Sequence, residues 1–297
     1  MRVTLIHNPG AGRGKDDAEA LVAMLRSAGH KVRYQSSKDE GWERALRDGG
    51  DLVAVAGGDG TVSRVAKRLV GRGIPLAPLP TGTANNISRT LGLAGRPMEE
   101  IVHSWDNPRR VKLDVGVAEG PWGRKYFVEG IGVGLFARLL AAVKKGNKGK
   151  DATVDAALRR LKREAERCRA LELEASLDGK DVSGRYVLLE ALNILLVGPN
   201  LFLAPESKPG DGHFDLVMVS EAERERLVEY LAKWQENRER LAVLPSQRGK
   251  RLSIKWTGFE LHIDDKLWPK KGEDTPKPPG PIEARIAGAA VEFFAAP

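Results

Sequence analysis

Segment 52–83 constrains the fold of this chain more than any other part, because two short apolar runs each end in a loop of small residues. The first run, 52–56, is rich in Val and is typical of a strand buried on both faces of a parallel sheet. It continues into Gly57, Gly58, Asp59, Gly60 and Thr61. Glycine lets the backbone approach a bound group closely, and a strand, a glycine-rich turn and a helix start together form an anion-binding site.

The same segment then repeats this arrangement. A helical pattern covers 62–70, the apolar run 74–79 predicts the next strand, and a second helix is predicted over 84–91 after the loop Thr81, Gly82 and Thr83. Because both loops follow neighbouring parallel strands, we expect them to line one cleft. A carboxylate at Asp59 would repel a bound phosphate, so its place in the first loop favours Mg²⁺ binding or proton transfer.

Strands alternate with helices through the first third of the chain. The runs 2–7 and 31–35 predict strands, 41–47 a short helix, and Ala18, Leu21, Val22 and Leu25 the inward face of a helix. This alternation predicts a doubly wound, mostly parallel α/β domain over 1–108. The glycine-rich turn 8–15 is not a Walker loop, because Asp16 stands where Ser or Thr would bind Mg²⁺.

The pattern changes to longer strands after residue 108. Strands are predicted at 111–118, 125–131, 171–177, 184–197, 214–220, 250–256 and 260–264, and helices at 221–235 and within 141–169. The run of strands favours an antiparallel, sandwich-like β domain over 109–281. The proline-rich stretch 276–281 is interpreted as a linker. Two apolar strands are predicted within 282–294, and residues 282–297 are expected to return to the first domain.

Composition favours a globular protein with anionic partners. Of the 297 residues, 41% are hydrophobic and 30% charged, and the formal net charge is +8. Aromatic residues make up 6% and are not interleaved with the basic ones, so a membrane surface is favoured over nucleic acid. The absence of an apolar run of about 18 residues predicts a cytoplasmic protein without a span. The single cysteine, Cys168, excludes an intrachain disulfide.

Taken together, the motifs resemble a known family. The Gly-Gly-Asp-Gly-Thr motif at 57–61 and the Pro-Thr-Gly-Thr-Ala-Asn-Asn motif at 80–86 resemble the catalytic domain of diacylglycerol kinases and related bacterial lipid kinases. Motifs at 8–12, 211–215 and 263–269 support the resemblance, which therefore spans nearly the whole chain. The first motif alone is shared with the NAD kinases.

This resemblance implies a lipid kinase that depends on ATP and Mg²⁺, with diacylglycerol as the default substrate. Nucleotide is expected in a cleft between the domains, on Asn8, Ser37, Gly57, Gly58, Asp59, Gly60, Thr61, Val62, Thr81, Gly82 and Thr83. Asp114 and Asn85 are expected to face the substrate, although an exposed strand face is the alternative for Asp114. The resemblance also implies a Mg²⁺ held by the Asp211 carboxylate and the backbone carbonyls of Lys208 and His213.

The chain departs from the family pattern at the position of the proposed general base. Lys266 stands where a Glu is usual, and Arg64 and Asn86 also replace acidic residues. A lysine takes up a hydroxyl proton only if burial greatly lowers its pKa. The candidate catalytic residues are therefore Asp59 and Asp265, either of which could accept the proton, and Lys266, which could neutralise charge on the phosphoryl group.

Two alternatives follow from these departures. The first is a catalytically impaired pseudokinase that senses nucleotide or lipid, and the second, less favoured, is an NAD kinase. The basic residues within 141–169 are interpreted either as a solvated helix face or as a patch that rests on an anionic membrane. Expected partners are ATP and a lipid at a membrane surface, with peripheral association during turnover and a possible homodimer. Arg13 and Lys15 are also candidates for phosphate contact.

Overall fold

The computed structural model describes residues 1–13, 17–145, 153–237, 244–269 and 280–297. The chain divides into two compact units, the first comprising Met1–Val115 and Ala289–Pro297, the second Gly116–Gly288. Lys15 and residues 276–279 of the predicted linker lie outside the described residues, as does part of the basic segment, 146–152.

The first unit alternates strands and helices. Its elements are β1 (Arg2–His7), α1 (Ala18–Ser27), β2 (Lys31–Ser36), β3 (Leu52–Gly57), α2 (Asp59–Leu69), β4 (Leu76–Pro80), α3 (Asn86–Thr90), α4 (Met98–His103) and most of β5 (Arg109–Gly120). Three short 3-10 helices lie at Ala11–Arg13, Trp42–Leu46 and Ser104–Asp106.

The sheet of the first unit has the order β2-β1-β3-β4, and all three pairs are parallel. Phe293, in the returning C-terminal segment, lies opposite Leu76 in a further parallel pair. All six positions of the central strand β3 are buried, as its continuous apolar run predicts. The predicted inward face of α2, with Val62, Val65, Ala66 and Leu69, is buried as well.

Within its described residues, the second unit consists of antiparallel strands, three α-helices and a 3-10 helix at Glu221–Glu223. Its elements are β6 (Gly123–Phe127), β7 (Gly130–Gly134), α5 (Leu135–Lys145), α6 (Val154–Arg167), β8 (Leu171–Leu173), β9 (Ala175–Leu177), β10 (Lys180–Asp181), β11 (Gly184–Leu192), β12 (Phe214–Ser220), α7 (Arg224–Asn237), β13 (Ser246–Gly249), β14 (Arg251–Lys255), β15 (Leu261–Ile263), β16 (Lys266–Trp268) and the first part of β17 (Pro281–Ala295), whose last residues belong to the first unit.

The strands of the second unit form a sheet with the order β13-β12-β11-β7-β15-β16, and β8 also pairs with β11. Side chains alternate across this sheet, as the period of two requires. Leu189 and Leu216 on one face join the cluster that contains Trp256. Leu188 and Val217 on the other face join a separate cluster with residues of α5, α6 and α7. A second antiparallel series, β10-β9-β14-β17, supplies further residues of the Trp256 cluster.

The predicted fold class, a mostly parallel α/β domain followed by an antiparallel β domain, is confirmed. Several element boundaries differ from the predicted ones. Helix α2 begins at Asp59, three residues early, because Gly58 takes the extended N-cap conformation. The predicted strand 125–131 is two strands, since the N–H groups of residues 128–130 bind the carboxylate of Asp264 instead of a neighbouring strand.

Three other predicted strands differ in extent. The stretch 171–177 is divided between β8 and β9, which pair with β11 and β14 respectively. The stretch 184–197 ends as a strand at Leu192, and 282–294 belongs to one continuous strand rather than two. The helix α5 was not predicted, because the preceding Gly130–Gly134 continues the apolar pattern without a polar boundary. None of the described helices is both long enough and apolar enough to cross a membrane.

Candidate functional site

Asp59 joins the two small-residue loops of the first unit. It lies in the first turn of α2, and its Oδ1 accepts a hydrogen bond of 2.9 Å from the backbone N–H of Ile87 in α3. Burial raises the pKa of the Asp59 carboxyl, and backbone N–H groups of Ile87 and Asn86 oppose that shift without cancelling it. The carboxylate therefore helps to hold the second loop and its helix against the first loop.

The two loops also approach each other through their backbones. A Cβ atom added to Gly82 would lie 2.4 Å from the Cα atom of Gly58, so no larger residue fits there without moving the backbone. Asn85, in the left-handed conformation at φ 55°, closes the second loop. Its Oδ1 accepts from the N–H of Gly82 at 3.0 Å, and its Nδ2 donates to the carbonyl of the same residue at 2.7 Å. The predicted substrate contact of Asn85 remains a prediction.

Asn8 anchors the turn after β1 to the first loop. Its Nδ2 donates to Oγ1 of Thr61 at 3.1 Å, and its Oδ1 accepts from the N–H of Gly10 at 3.2 Å. The structure thus brings Asn8 and Thr61, two of the predicted nucleotide-binding residues, into direct contact. The structure describes the backbone of this turn as far as Arg13, but not the side chain of Arg13.

Two buried hydroxyls beside these loops fit a ligand. Ser37 Oγ and Thr81 Oγ1 are buried without a hydrogen-bond partner among the described residues. A buried hydroxyl without a partner carries a free-energy cost that a bound polar group removes. Helix α2 begins without a side-chain cap, and the positive end of its dipole lies at Gly58 and Asp59, where it favours an anion. These features fit the phosphates and polar groups of a nucleotide.

The remaining predicted nucleotide-binding residues differ in exposure. Thr83 is exposed, and the side chain of Val62 is 1% exposed in the core, so Val62 could meet a ligand only through its backbone. Sequence reasoning did not place Arg64 at this site. Its guanidinium lies 4.8 Å above the ring of Trp42 and donates to the carbonyl of Ser37 at 3.3 Å. Arg64 follows Gly60 by four residues, so helical periodicity alone could have placed it on the same side of α2 as the first loop.

Asp114 is buried in β5, with 6% of its surface exposed. The alternative of an exposed strand face is therefore wrong, because a solvated carboxylate would be accessible. Its predicted contact with the substrate stays a prediction.

The turn between β15 and β16 carries the other candidate catalytic residues. Asp265 and Lys266 form an ion pair of 2.7 Å, and their side chains are 45% and 67% exposed. A lysine can accept a proton only when burial lowers its pKa, and Lys266 is exposed. The structure therefore favours Lys266 as a charged group at this turn rather than as a base.

Asp264, which precedes this pair, is a residue that sequence reasoning missed as a structural anchor. Its Oδ1 accepts from the N–H groups of Val128, Glu129 and Gly130 at 3.1, 2.9 and 3.2 Å. Its own N–H donates to the carbonyl of Gly130 at 2.8 Å. Asp264 adopts φ 48° in the two-residue hairpin turn, a conformation that Asp tolerates better than most residues.

In the loop with Lys208, Asp211 and His213, the predicted Mg²⁺ ligand Asp211 and the Lys208 carbonyl already have protein partners. The Asp211 carboxylate is paired with the guanidinium of Arg248, and it also accepts the N–H of His213 at 3.0 Å. The carbonyl of Lys208 accepts the N–H of Asp211 at 3.3 Å. No group of three metal-binding side chains occurs among the residues that the structure describes. A guanidinium thus pairs with the carboxylate to which the resemblance assigns Mg²⁺, and the metal site stays a prediction.

The fold and these loops define an α/β domain with two adjoining small-residue loops, and an antiparallel β unit follows it in the chain. Residues 2–118 match the family model of the diacylglycerol kinase catalytic domain. This part of the chain is therefore similar to that family, and the resemblance seen in the sequence is confirmed.

Relatives of the chain point to the same family. A diacylglycerol kinase of Bacillus subtilis (strain 168) is 29% identical over 234 residues, which cover 74% of each chain. A probable lipid kinase YegS-like protein of Pseudomonas aeruginosa (strain UCBPP-PA14) is 32% identical over 130 residues, 39% of this chain and 43% of that protein. A crystal structure from Bacillus anthracis str. Sterne has a TM-score of 0.76 at 23% identity and covers 100% of this chain and 95% of its own, which shows the fold.

Replacing Gly82 tests the close contact of the two loops. We expect Gly82→Ala to lower the free energy of unfolding by about 1–3 kcal/mol, because the new Cβ meets the backbone of Gly58. The measurement is urea denaturation followed by circular dichroism. Gly10→Ala is the matched control, since its Cβ would meet no atom closer than 3.6 Å. Equal stability of Gly82→Ala and the control would contradict the close approach.

A chelator tests the loop at Asp211. Because Arg248 already neutralises the Asp211 carboxylate, we expect the same thermal midpoint in excess EDTA and in excess Mg²⁺ without nucleotide. The measurement is differential scanning calorimetry on the full chain. A midpoint that rises with Mg²⁺ concentration in the wild type, but not in Asp211→Asn, would show a bound ion at this loop.

Proposed function

We propose that this chain is a kinase that transfers the γ-phosphoryl group of ATP to the hydroxyl of a lipid, with diacylglycerol as the first substrate to test. The observation that carries the proposal is the paired-loop site, where Asp59 and Gly82 hold two loops together beside the buried hydroxyls of Ser37 and Thr81. The match of residues 2–118 to the diacylglycerol kinase catalytic domain supports the same reaction class. The names of the curated relatives support a lipid acceptor.

In this proposal the residues of the first unit bind and orient ATP. The first turn of α2 and the glycine backbone of both loops receive phosphate groups, and the hydroxyls of Ser37 and Thr81 gain the partners they lack. Asp59 is the carboxylate of the first loop that would hold a Mg²⁺ ion, which would supply charge neutralisation at the phosphates.

Positioning and charge neutralisation can account for most of the catalysis, because phosphoryl transfer proceeds through a loose transition state. Asp59 or Asp265 would accept the proton of the lipid hydroxyl. Lys266, exposed and paired with Asp265, would neutralise charge on the transferred group. The pseudokinase alternative rests on the same exposed lysine, because it supplies no base where the family has a glutamate.

Transfer of label from radioactive ATP to a panel of detergent-dispersed lipids tests this function. We expect wild type to label diacylglycerol or a similar lipid, and Asp59→Asn to lower kcat about 100-fold or more, because the carboxylate loses its charge. Asp48→Asn, an exposed carboxylate of the same unit, is the control and should retain activity. NAD is included as an acceptor to exclude an NAD kinase.

Lys266→Glu separates the kinase from the pseudokinase, with Lys180→Glu on exposed β10 as the charge-matched control. If wild type labels no lipid but binds ATP, and Lys266→Glu gains activity, the chain is a pseudokinase. If wild type is active and Asp59→Asn is equally active, the assigned role of Asp59 is wrong.

We further propose peripheral association with an anionic membrane in the cytoplasm, through helix α6. This helix buries Leu158, Leu161 and Ala165. Arg159, Arg163 and Arg167 follow at intervals of four residues, and all three are exposed. Residues at that spacing share one face of a helix, so they form an arginine stripe that suits lipid phosphates. The possible homodimer stays a prediction.

Vesicle binding tests the arginine stripe. We expect the chain to sediment with vesicles that contain phosphatidylglycerol and not with pure phosphatidylcholine vesicles, and to release in high salt. The triple variant Arg159→Gln, Arg163→Gln, Arg167→Gln should lose about 3 kcal/mol of binding, on the order of 1 kcal/mol per charge. Arg33→Gln, Arg47→Gln, Arg72→Gln is the control with the same net charge. Equal loss in both triples would mean that net charge alone, not the stripe, drives binding.

A further inference from the structure

A buried carboxylate and a buried histidine face each other in the second unit. Glu190 Oε2 and His262 Nε2 are 2.8 Å apart, and their side chains are 0% and 4% exposed. Such a pair is costly to desolvate and is stable only when its remaining polar atoms find partners. The Oε1 atom of Glu190 has no hydrogen-bond partner among the described residues, so the interaction with His262 is its main compensation.

The sheet is built to admit this pair. Strand β7 runs between β11 and β15, and Gly132 lies opposite both Glu190 and His262 in the register. A Cβ atom on Gly132 would lie 2.0 Å from Glu190 Oε2, so the carboxylate occupies the space that a side chain would fill. Only glycine at this position lets Glu190 reach across the strand to the histidine.

The histidine in turn contacts the turn that carries the candidate catalytic residues. His262 Nδ1 lies 2.9 Å from the backbone carbonyl of Asp264, which can only accept a hydrogen bond, so Nδ1 carries a proton. Asp264 is followed directly by Asp265 and Lys266. The chain of contacts thus runs from Glu190 through His262 to the first residue of that turn.

We propose that Glu190 and His262 act as a positioning pair, which fixes the turn of Asp264, Asp265 and Lys266 through the Asp264 carbonyl. The relevance of this pair to catalysis rests on the proposed kinase function, whereas its effect on the turn does not. One proton is held between Glu190 and Nε2 of His262, while the Nδ1 proton holds the carbonyl. Neither residue touches substrate in this proposal.

The surroundings of the pair define its response to pH. Burial by itself lowers the pKa of His262, but the Glu190 carboxylate and the Asp264 carbonyl outweigh burial and raise the pKa above the ordinary value of 6.5. Burial raises the pKa of Glu190, and His262 opposes that shift. The facing residues of β7, β16 and α5 are uncharged, namely Gly132, Leu267 and Phe136. The Asp264 carboxylate, directly after β15, is the further acidic group near the pair, and it also raises the pKa of His262.

The sign of the pH effect follows from these shifts. A group whose pKa is raised on folding stabilises the folded state. This stabilisation is complete at pH values below the pKa of the unfolded state, and it is lost as pH rises through the pKa of the folded state. The turn should therefore be held fully below about pH 6.5 and loosen at higher pH, when the shared proton leaves and a carboxylate faces a histidine lone pair.

Amide hydrogen exchange on the full chain tests the proposal without relying on activity. The readout is the protection of the backbone amides of Val128, Glu129, Gly130 and Asp264, corrected for the intrinsic pH dependence of exchange. In wild type, protection should fall as pH rises above neutrality. In Glu190→Gln the amide can donate to Nε2 of neutral His262 above neutrality, and no carboxylate then faces the Nε2 lone pair, so this fall should disappear. Glu172→Gln, an exposed carboxylate on β8, should behave like wild type.

Kinetics supply the second readout. We expect His262→Gln to lower kcat about 10- to 100-fold through misplacement of the turn, with KM for ATP unchanged, because the ATP-binding residues lie in the other unit. His103→Gln, at an exposed helix end, is the histidine control.

The two readouts separate this proposal from the kinase function. Wild-type protection that falls with pH while Glu190→Gln stays flat supports the positioning pair, even if no lipid is phosphorylated. Identical profiles in wild type and Glu190→Gln overturn the pair, even if the kinase is active. Glu190→Gln preserves size and hydrogen bonding, so the test stands if His262→Gln fails to fold.

Discussion

The hydrogen bond from the backbone N–H of Ile87 to the carboxylate of Asp59 is the interaction on which the candidate nucleotide site depends. The two loops come from different strand ends, and their sequence separation gives them no local reason to stay together. Asp59 fixes the start of α3, Asn85 closes the loop before it, and Gly82 then meets Gly58 at backbone distance. Substitution at any of these positions is therefore expected to affect both loops at once.

The second unit uses a carboxylate in a similar way. Asp264 gathers three successive backbone N–H groups, at residues 128–130, and so joins the start of β7 to the hairpin of β15 and β16. A carboxylate that accepts several N–H groups fixes backbone more firmly than a single neutral hydrogen bond does. The exposed pair of Asp265 and Lys266 follows directly, so a rigid anchor stands next to the residues proposed to act on phosphate.

Basic residues replace expected functional groups at two places. Arg248 pairs with Asp211 where the resemblance implies Mg²⁺, and Lys266 pairs with Asp265 where it implies a glutamate. In both cases the added cation lies against an aspartate, so the local charge remains balanced. A guanidinium can replace the charge of a metal ion and some of its contacts, but not its coordination of several oxygens. The chemistry at Asp211 and at Lys266 therefore differs from the chemistry that the resemblance implies, and these are the positions where activity should be compared with that of the relatives.

The sequence by itself determined the fold class, the strands β1 and β12 and the two glycine loops, because these follow from local periodicity and from glycine's backbone freedom. It also predicted Asn8, Asp59 and Gly82 as members of one site, and the structure brings their loops into contact. Only the tertiary structure decided that Asp59 binds Ile87, that Asp264 binds residues 128–130 and that Glu190 meets His262. These contacts span 28 to 136 positions of chain, and no local pattern specifies which distant backbone group a carboxylate will reach.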